Sequence, residues 1–216
     1  MLINFIRNLT RKQKITEISL EQLSALWVET EQKNIKSAKN VPANIWANSH
    51  LNNFYENYIC PHTNVLGNTL EPIQKIMNFL DESGDCPSVA EDDPTETTDL
   101  KFLKITLAEH TINVAKEVIE IMKNGTRDYE FLLGEMLIIA LAHNIGKTPV
   151  SGQNIPVDLP TKSAMLAEQF LQDLPFKKTA VKAIKTYKNS PKLNQANILS
   201  AADHAARKME ETILEN

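Results

Sequence analysis

The 216-residue chain carries 23 basic and 27 acidic side chains, and a net charge of −4 excludes the generally basic surface of a nucleic-acid-binding protein. It is 42% hydrophobic with only six glycines, long enough to bury a core unaided and poor in the turn residues that sandwiches and barrels need. The two cysteines, Cys60 and Cys86, form no CxxC pair, and the apolar start is too short for a signal peptide or membrane span, so free thiols, a cytoplasmic location and no membrane contact are expected.

Helical periodicity begins at Ser19, an N-cap with Glu21 in the first turn and Leu20, Leu23, Leu26 and Trp27 at helical spacing. A second helix is predicted over roughly 43–59, with Ile45, Trp46, Phe54, Tyr55 and Tyr58. A third starts near Thr69, tolerates Pro72 in its first turn, and repeats Ile73, Ile76, Met77 and Leu80. The pattern then stops. Residues 81–99 hold eight acids, two prolines and no Lys or Arg, the composition of a solvated loop or of an acidic docking surface for a basic partner.

Beyond this break the spacing predicts helices over about 99–125, capped by Thr98 or Asp99, and over 128–145. A loop containing Pro and Gly follows, 148–160. Further helices are predicted over 161–174 (capped by Thr161), 175–188 and 193–214. No strand alternation competes, so the fold class is all-α: a helical region over 1–80, an acidic loop or linker over 81–98, and a helical domain over 99–216. Residues 1–100 are net −6 and residues 101–216 net +2, which makes the second half the better home for an anionic ligand.

Three polar groups interrupt apolar faces in that second half. His110 falls on the stripe of Leu103, Leu107, Val114, Val118 and Ile121. His143 and Asn144 end the run "MLIIALA", which is apolar all round and therefore belongs to a central helix. Asp203 shares a face with Leu199 among Ala201, Ala202, Ala205 and Ala206. Taken singly, these residues read as a hydrogen-bonded core histidine, a helix C-cap, and an i,i+4 partner of Arg207. Taken together, two imidazoles and a carboxylate from different helices form a donor set for a divalent metal.

The order of the motifs "AEHTINVA", "ALAHNIGK" and "LSAADHAA" resembles the HD-domain superfamily of metal-dependent phosphohydrolases over roughly residues 99–212. The resemblance implies an HD-like helical bundle over that stretch; the helical N-terminal region, residues 1–98 with its acidic loop, is additional and not explained by it. It implies that His110, His143, Asn144 and Asp203 occupy metal-ligand positions for Mn, Fe, Ni, Zn or Mg. It also implies that Lys147, following Gly146, contacts a substrate phosphate during metal-assisted hydrolysis. Two departures weaken the implied chemistry. Asn144 stands where the family has Asp, which removes a negative charge and a bridging ligand. Residues 144–202 contain no histidine, which removes the further ligands of two-metal members.

His204 lies about 100° round its helix from Asp203. His50 and the Cys60–His62 pair have no partner motif in the sequence. Lys178, Lys182 and Lys185 share a helix face, read as a solvated face or as an anion-binding or nucleic-acid-facing edge. The expected function is a degenerate HD domain with a weakened or lost metal site. It would bind a phosphate-containing small molecule, or a protein partner through residues 1–98. The alternative is an active single-metal phosphohydrolase on a nucleotide or other phosphate ester. Nucleic acid is not the expected partner.

Overall fold

The computed structural model describes residues 46–89, 100–125, 127–149, 157–171, 174–189 and 191–215. All of them fall in the compact unit Pro42–Asn216. The helix predicted from Ser19, the second half of the acidic stretch (90–99) and residues 150–156 of the Pro/Gly loop lie outside the described residues.

The described chain is helical, with no strand among these residues and one isolated antiparallel bridge, Pro87 to Thr106. Helix α1 is Ser49–Phe54, capped by the Asn48 carboxamide, which accepts from the His50 and Leu51 amides. The predicted single helix over 43–59 is therefore shorter. It widens into a π-turn at Tyr55–Ile59 and tightens to a 3₁₀ turn at Cys60–His62. Pro61 is the physical reason: it has no N–H to give and its ring crowds the carbonyl one turn back. Helix α2 is Thr63–Leu66 and α3 is Leu70–Ser83, with Ile73, Ile76, Met77 and Leu80 buried as their spacing requires.

Helix α4 is Leu107–Gly125, so its start lies beyond the predicted Thr98 or Asp99. The real start is a capping box. The Thr106 hydroxyl accepts from the Glu109 amide, and the Glu109 carboxylate takes the Thr106 amide at 2.9 Å. Residues ahead of it form a 3₁₀ turn, Leu100–Lys104, and a short extended stretch held by the loop after α3. There the Ser88 amide donates to the Ile105 carbonyl, and the Leu107 amide to that of Cys86.

Helix α5 is Glu130–Ala142, α6 is Leu159–Phe170, α7 is Lys177–Thr186 and α8 is Asn194–Glu215. The cap of α6 is Asp158 rather than Thr161, because the Asp158 carboxylate accepts from the Thr161 amide at 2.7 Å. Helix α5 is central, packed against α3, α4, α7 and α8. Its residues Met136 to Ala142 are all buried, as an all-round apolar helix demands. Each fully buried Leu or Ile there contributes roughly 1.5–3 kcal/mol.

Helix α8 lies along α4, and the buried Ala202 and Ala206 permit the close approach. Residues of α1 and α3 share one apolar core with α4, α5, α7 and α8. No helix among the described residues is long and apolar enough to cross a membrane.

Candidate metal centre

The packing of α4, α5 and α8 brings three of the expected ligands together. His110 sits one turn into α4, fully buried. His143 is the residue directly after α5, also fully buried. Asp203 lies mid-α8 and is about one-fifth exposed. The His110 Nε2 to Asp203 Oδ1 distance is 3.0 Å, and His143 Nε2 to the same oxygen is 3.6 Å. One ligand atom from each residue lies within 4.8 Å of the other two. Bonds of roughly 2.0–2.2 Å to a metal hold ligand atoms at most about 4.4 Å apart, so small side-chain adjustments close this set on one ion.

Hydrogen-bond partners constrain each ring. The Nδ1 of His143 lies 2.6 Å from the Ala140 carbonyl, so that nitrogen carries the proton and Nε2 presents a lone pair. Burial pushes the His143 pKa down against the opposing pull of Asp203, which keeps the ring neutral and able to ligate. His110 is flanked by two carboxylates: Nδ1 is 3.0 Å from Glu210 and Nε2 is 3.0 Å from Asp203. A neutral ring has one N–H and satisfies only one of them. The other contact calls for a cation between ring and carboxylate, either a proton or a metal ion. With Nδ1–H donated to Glu210, Nε2 would be the nitrogen offered to a metal, and the carboxylate behind the histidine orients it. Burial would raise the Asp203 carboxyl, but the neighbouring His110 and His143 rings outweigh that and hold it well below the usual carboxylate range. Glu210 behaves in the same way, its burial outweighed by His110 first and then by Asn113 and Arg207. Both acids are anionic at neutral pH, as ligands to a cation must be.

Asn144 stands beside this set with its chemistry turned inward. Its Nδ2 lies 2.7 Å from His143 Nε2, and its Oδ1 accepts from the Tyr187 hydroxyl at 3.3 Å. Because His143 Nε2 is an acceptor, the group facing it must be the amide N–H₂. Lys147 lies in the 3₁₀ turn Ile145–Lys147 that follows, where its Nζ donates to the Ser88 carbonyl at 2.7 Å. The turn is seated on α6 by Gly146, whose amide donates to the Ser163 hydroxyl. A Cβ at Gly146 would stand 2.8 Å from the Ser163 backbone nitrogen. Gly146→Ala is therefore expected to cost about 1–3 kcal/mol through overpacking, read as a lowered denaturant midpoint. An unchanged midpoint would show that α6 yields freely.

Other expectations resolve simply. Arg207 does not pair with Asp203; its Nη1 donates to Glu210 and to the Ser88 hydroxyl. His204 is exposed. His50 pairs with Glu109 at 3.2 Å, and His62 packs edge-on near Tyr129. Lys178, Lys182 and Lys185 are exposed on α7.

Glu210 was not among the expected site residues, although its signal was present. It continues the buried face of Ala196, Leu199, Ala202 and Ala206 on α8, the same pattern that singles out Asp203. No family model matches this chain, and neither a curated protein nor a solved structure matches it.

Proposed function

We propose that this chain is an HD-like domain with a weakened single-metal centre, working as a binding module for a phosphate-containing small molecule. Residues 1–98 then offer the surface for a protein partner. The observation that carries this reading is the bond from the Asn144 amide to His143 Nε2. A metal needs that lone pair, and here an internal neutral donor holds it. An entering ion must first break this bond and gains no charge from Asn144 in return.

A second reading, an active single-metal phosphohydrolase, is favoured by the ligand set itself. His110, His143 and Asp203 converge, and Glu210 and the Ala140 carbonyl fix both rings. Three protein ligands with open positions are the usual makeup of a catalytic rather than a structural metal site. A divalent ion bound there supplies Lewis acidity toward a phosphoryl oxygen.

The deciding experiment is metal analysis of the purified full chain, combined with assays on bis(4-nitrophenyl) phosphate and nucleotides in Mn, Ni or Mg. The binding-module reading expects weak metal uptake and no turnover in any of them. Turnover that disappears in His143→Ala overturns it in favour of the hydrolase. Absence of metal uptake under every condition removes the centre from both readings.

A further inference from the structure

Two cations beside the metal centre converge on one residue of the loop after α3. Lys147 follows Asn144 by one short turn, and Arg207 follows Asp203 by one turn of α8. Lys147 Nζ donates to the Ser88 carbonyl at 2.7 Å, and Arg207 Nη2 donates to the same oxygen at 3.1 Å. Arg207 Nη1 donates to the Ser88 hydroxyl oxygen at 2.9 Å. The guanidinium fork thus reads two oxygens while an ammonium shares one of them. Proteins hold phosphate and carboxylate with this donor arrangement. Arg207 is also held in place, with the Phe102 ring 5.3 Å from its guanidinium carbon and Glu210 on Nη1 at 3.0 Å.

Charge points the same way: a divalent ion on His110, His143 and Asp203 would add two positive charges close to Lys147 and Arg207, and a phosphate dianion supplies two negative ones. Ser88 itself is fully buried and is tied to the start of α4 through its amide, which donates to the Ile105 carbonyl at 2.9 Å.

We propose that Arg207 and Lys147 form a receptor for a phosphate group, and that Ser88 is an internal occupant which the incoming phosphate displaces. The proposal rests on the reading that this domain takes a phosphate-containing ligand, and it adds Arg207 and a self-occupied resting state to it.

The test is calorimetric titration of the full chain with inorganic phosphate at low salt, without metal and with Mn, alongside amide hydrogen exchange. Saturable binding is expected, about tenfold or more weaker in Lys147→Gln and in Arg207→Gln, and only partly restored in Arg207→Lys, which keeps the charge and loses the fork. Ser88→Ala, which removes one of the competing oxygens, is expected to bind phosphate about threefold more tightly. Exchange at the Ser88 amide is expected to quicken when phosphate saturates. Lys147→Gln leaves the Arg207–Glu210 pair intact, so the proposal stays open to refutation if Arg207→Gln folds poorly. No saturable binding with or without Mn overturns it. So does wild-type affinity in Lys147→Gln, or Ser88 exchange that is unchanged or slowed by phosphate. Metal uptake is measured on the same protein. Metal without phosphate binding defeats this inference alone, and phosphate without metal binding defeats the metal centre alone.

Discussion

Asn144→Asp is expected to raise the affinity for Mn or Zn by roughly 10- to 100-fold, and to lower the melting temperature of the metal-free protein at the same time. Both effects follow from the neighbour at 2.7 Å. The Asn144 amide now donates to the lone pair of His143 Nε2. A carboxylate there has no proton to give, so in the metal-free state it faces that lone pair, with the anionic Asp203 also close to His143. Like charges in a buried site destabilise it. A divalent ion reverses the sign, because the added charge becomes a ligand. Attraction at about 4 Å is worth roughly 4 kcal/mol per unit charge at an effective dielectric of about 20, and desolvation of the carboxylate offsets much of it. A net of about 1.4–2.7 kcal/mol gives the stated range. The check is a pair of melting curves with and without Mn, together with a chelator-competition titration. A larger metal-induced shift from a lower starting point is the expected signature. Unchanged metal affinity would place Asn144 outside the centre.

The sequence carried the His110, His143 and Asp203 cluster because burial restricts where ionisable groups stand. His110, His143 and Asp203 were legible as polar groups on faces that apolar spacing turns inward, and each proves to be partnered there. The same argument applied to Glu210, but Arg207, Lys208, Glu211 and the surrounding polar residues make that stretch of α8 look like a solvated charged face. Its apolar neighbours are alanines, whose signal is weak. Helix existence was legible and helix starts were less so. Thr98, Asp99 and Thr106 are all competent caps by residue type. What selects Thr106 is its reciprocal bond with Glu109 and the pairing of residues 86–88 with 105–107, a contact between segments distant in sequence. Ser88 was beyond reach for the same reason. A backbone carbonyl has no sequence signature, and Lys147 and Arg207 reach it across 59 and 119 residues.

Glu210 supports the second large expectation, because it is the acceptor on which the buried side of the centre depends. Its carboxylate is 1% exposed and takes His110 Nδ1 at 3.0 Å, Asn113 Nδ2 at 3.0 Å and Arg207 Nη1 at 3.0 Å. Glu210→Ala leaves all three donors without this acceptor, one of them a guanidinium beside the core. Breaking a buried pair from one side costs about 3–5 kcal/mol, and urea unfolding should show a loss of that order. Glu210→Gln separates charge from shape. The carboxamide still accepts from His110, so folding survives better, yet the ring loses the carboxylate that makes Nε2 a strong ligand. Metal affinity is expected to fall about 10- to 100-fold, the usual effect of removing the partner behind a ligating histidine. The double variant Glu210→Gln, Arg207→Gln tests whether the two act as one unit. Removing both charges together should cost less than the sum of the single changes, because neither is then left buried without the other. A loss below about 0.5 kcal/mol in Glu210→Ala would mean that the buried network contributes nothing in solution and that His110 is held by packing alone.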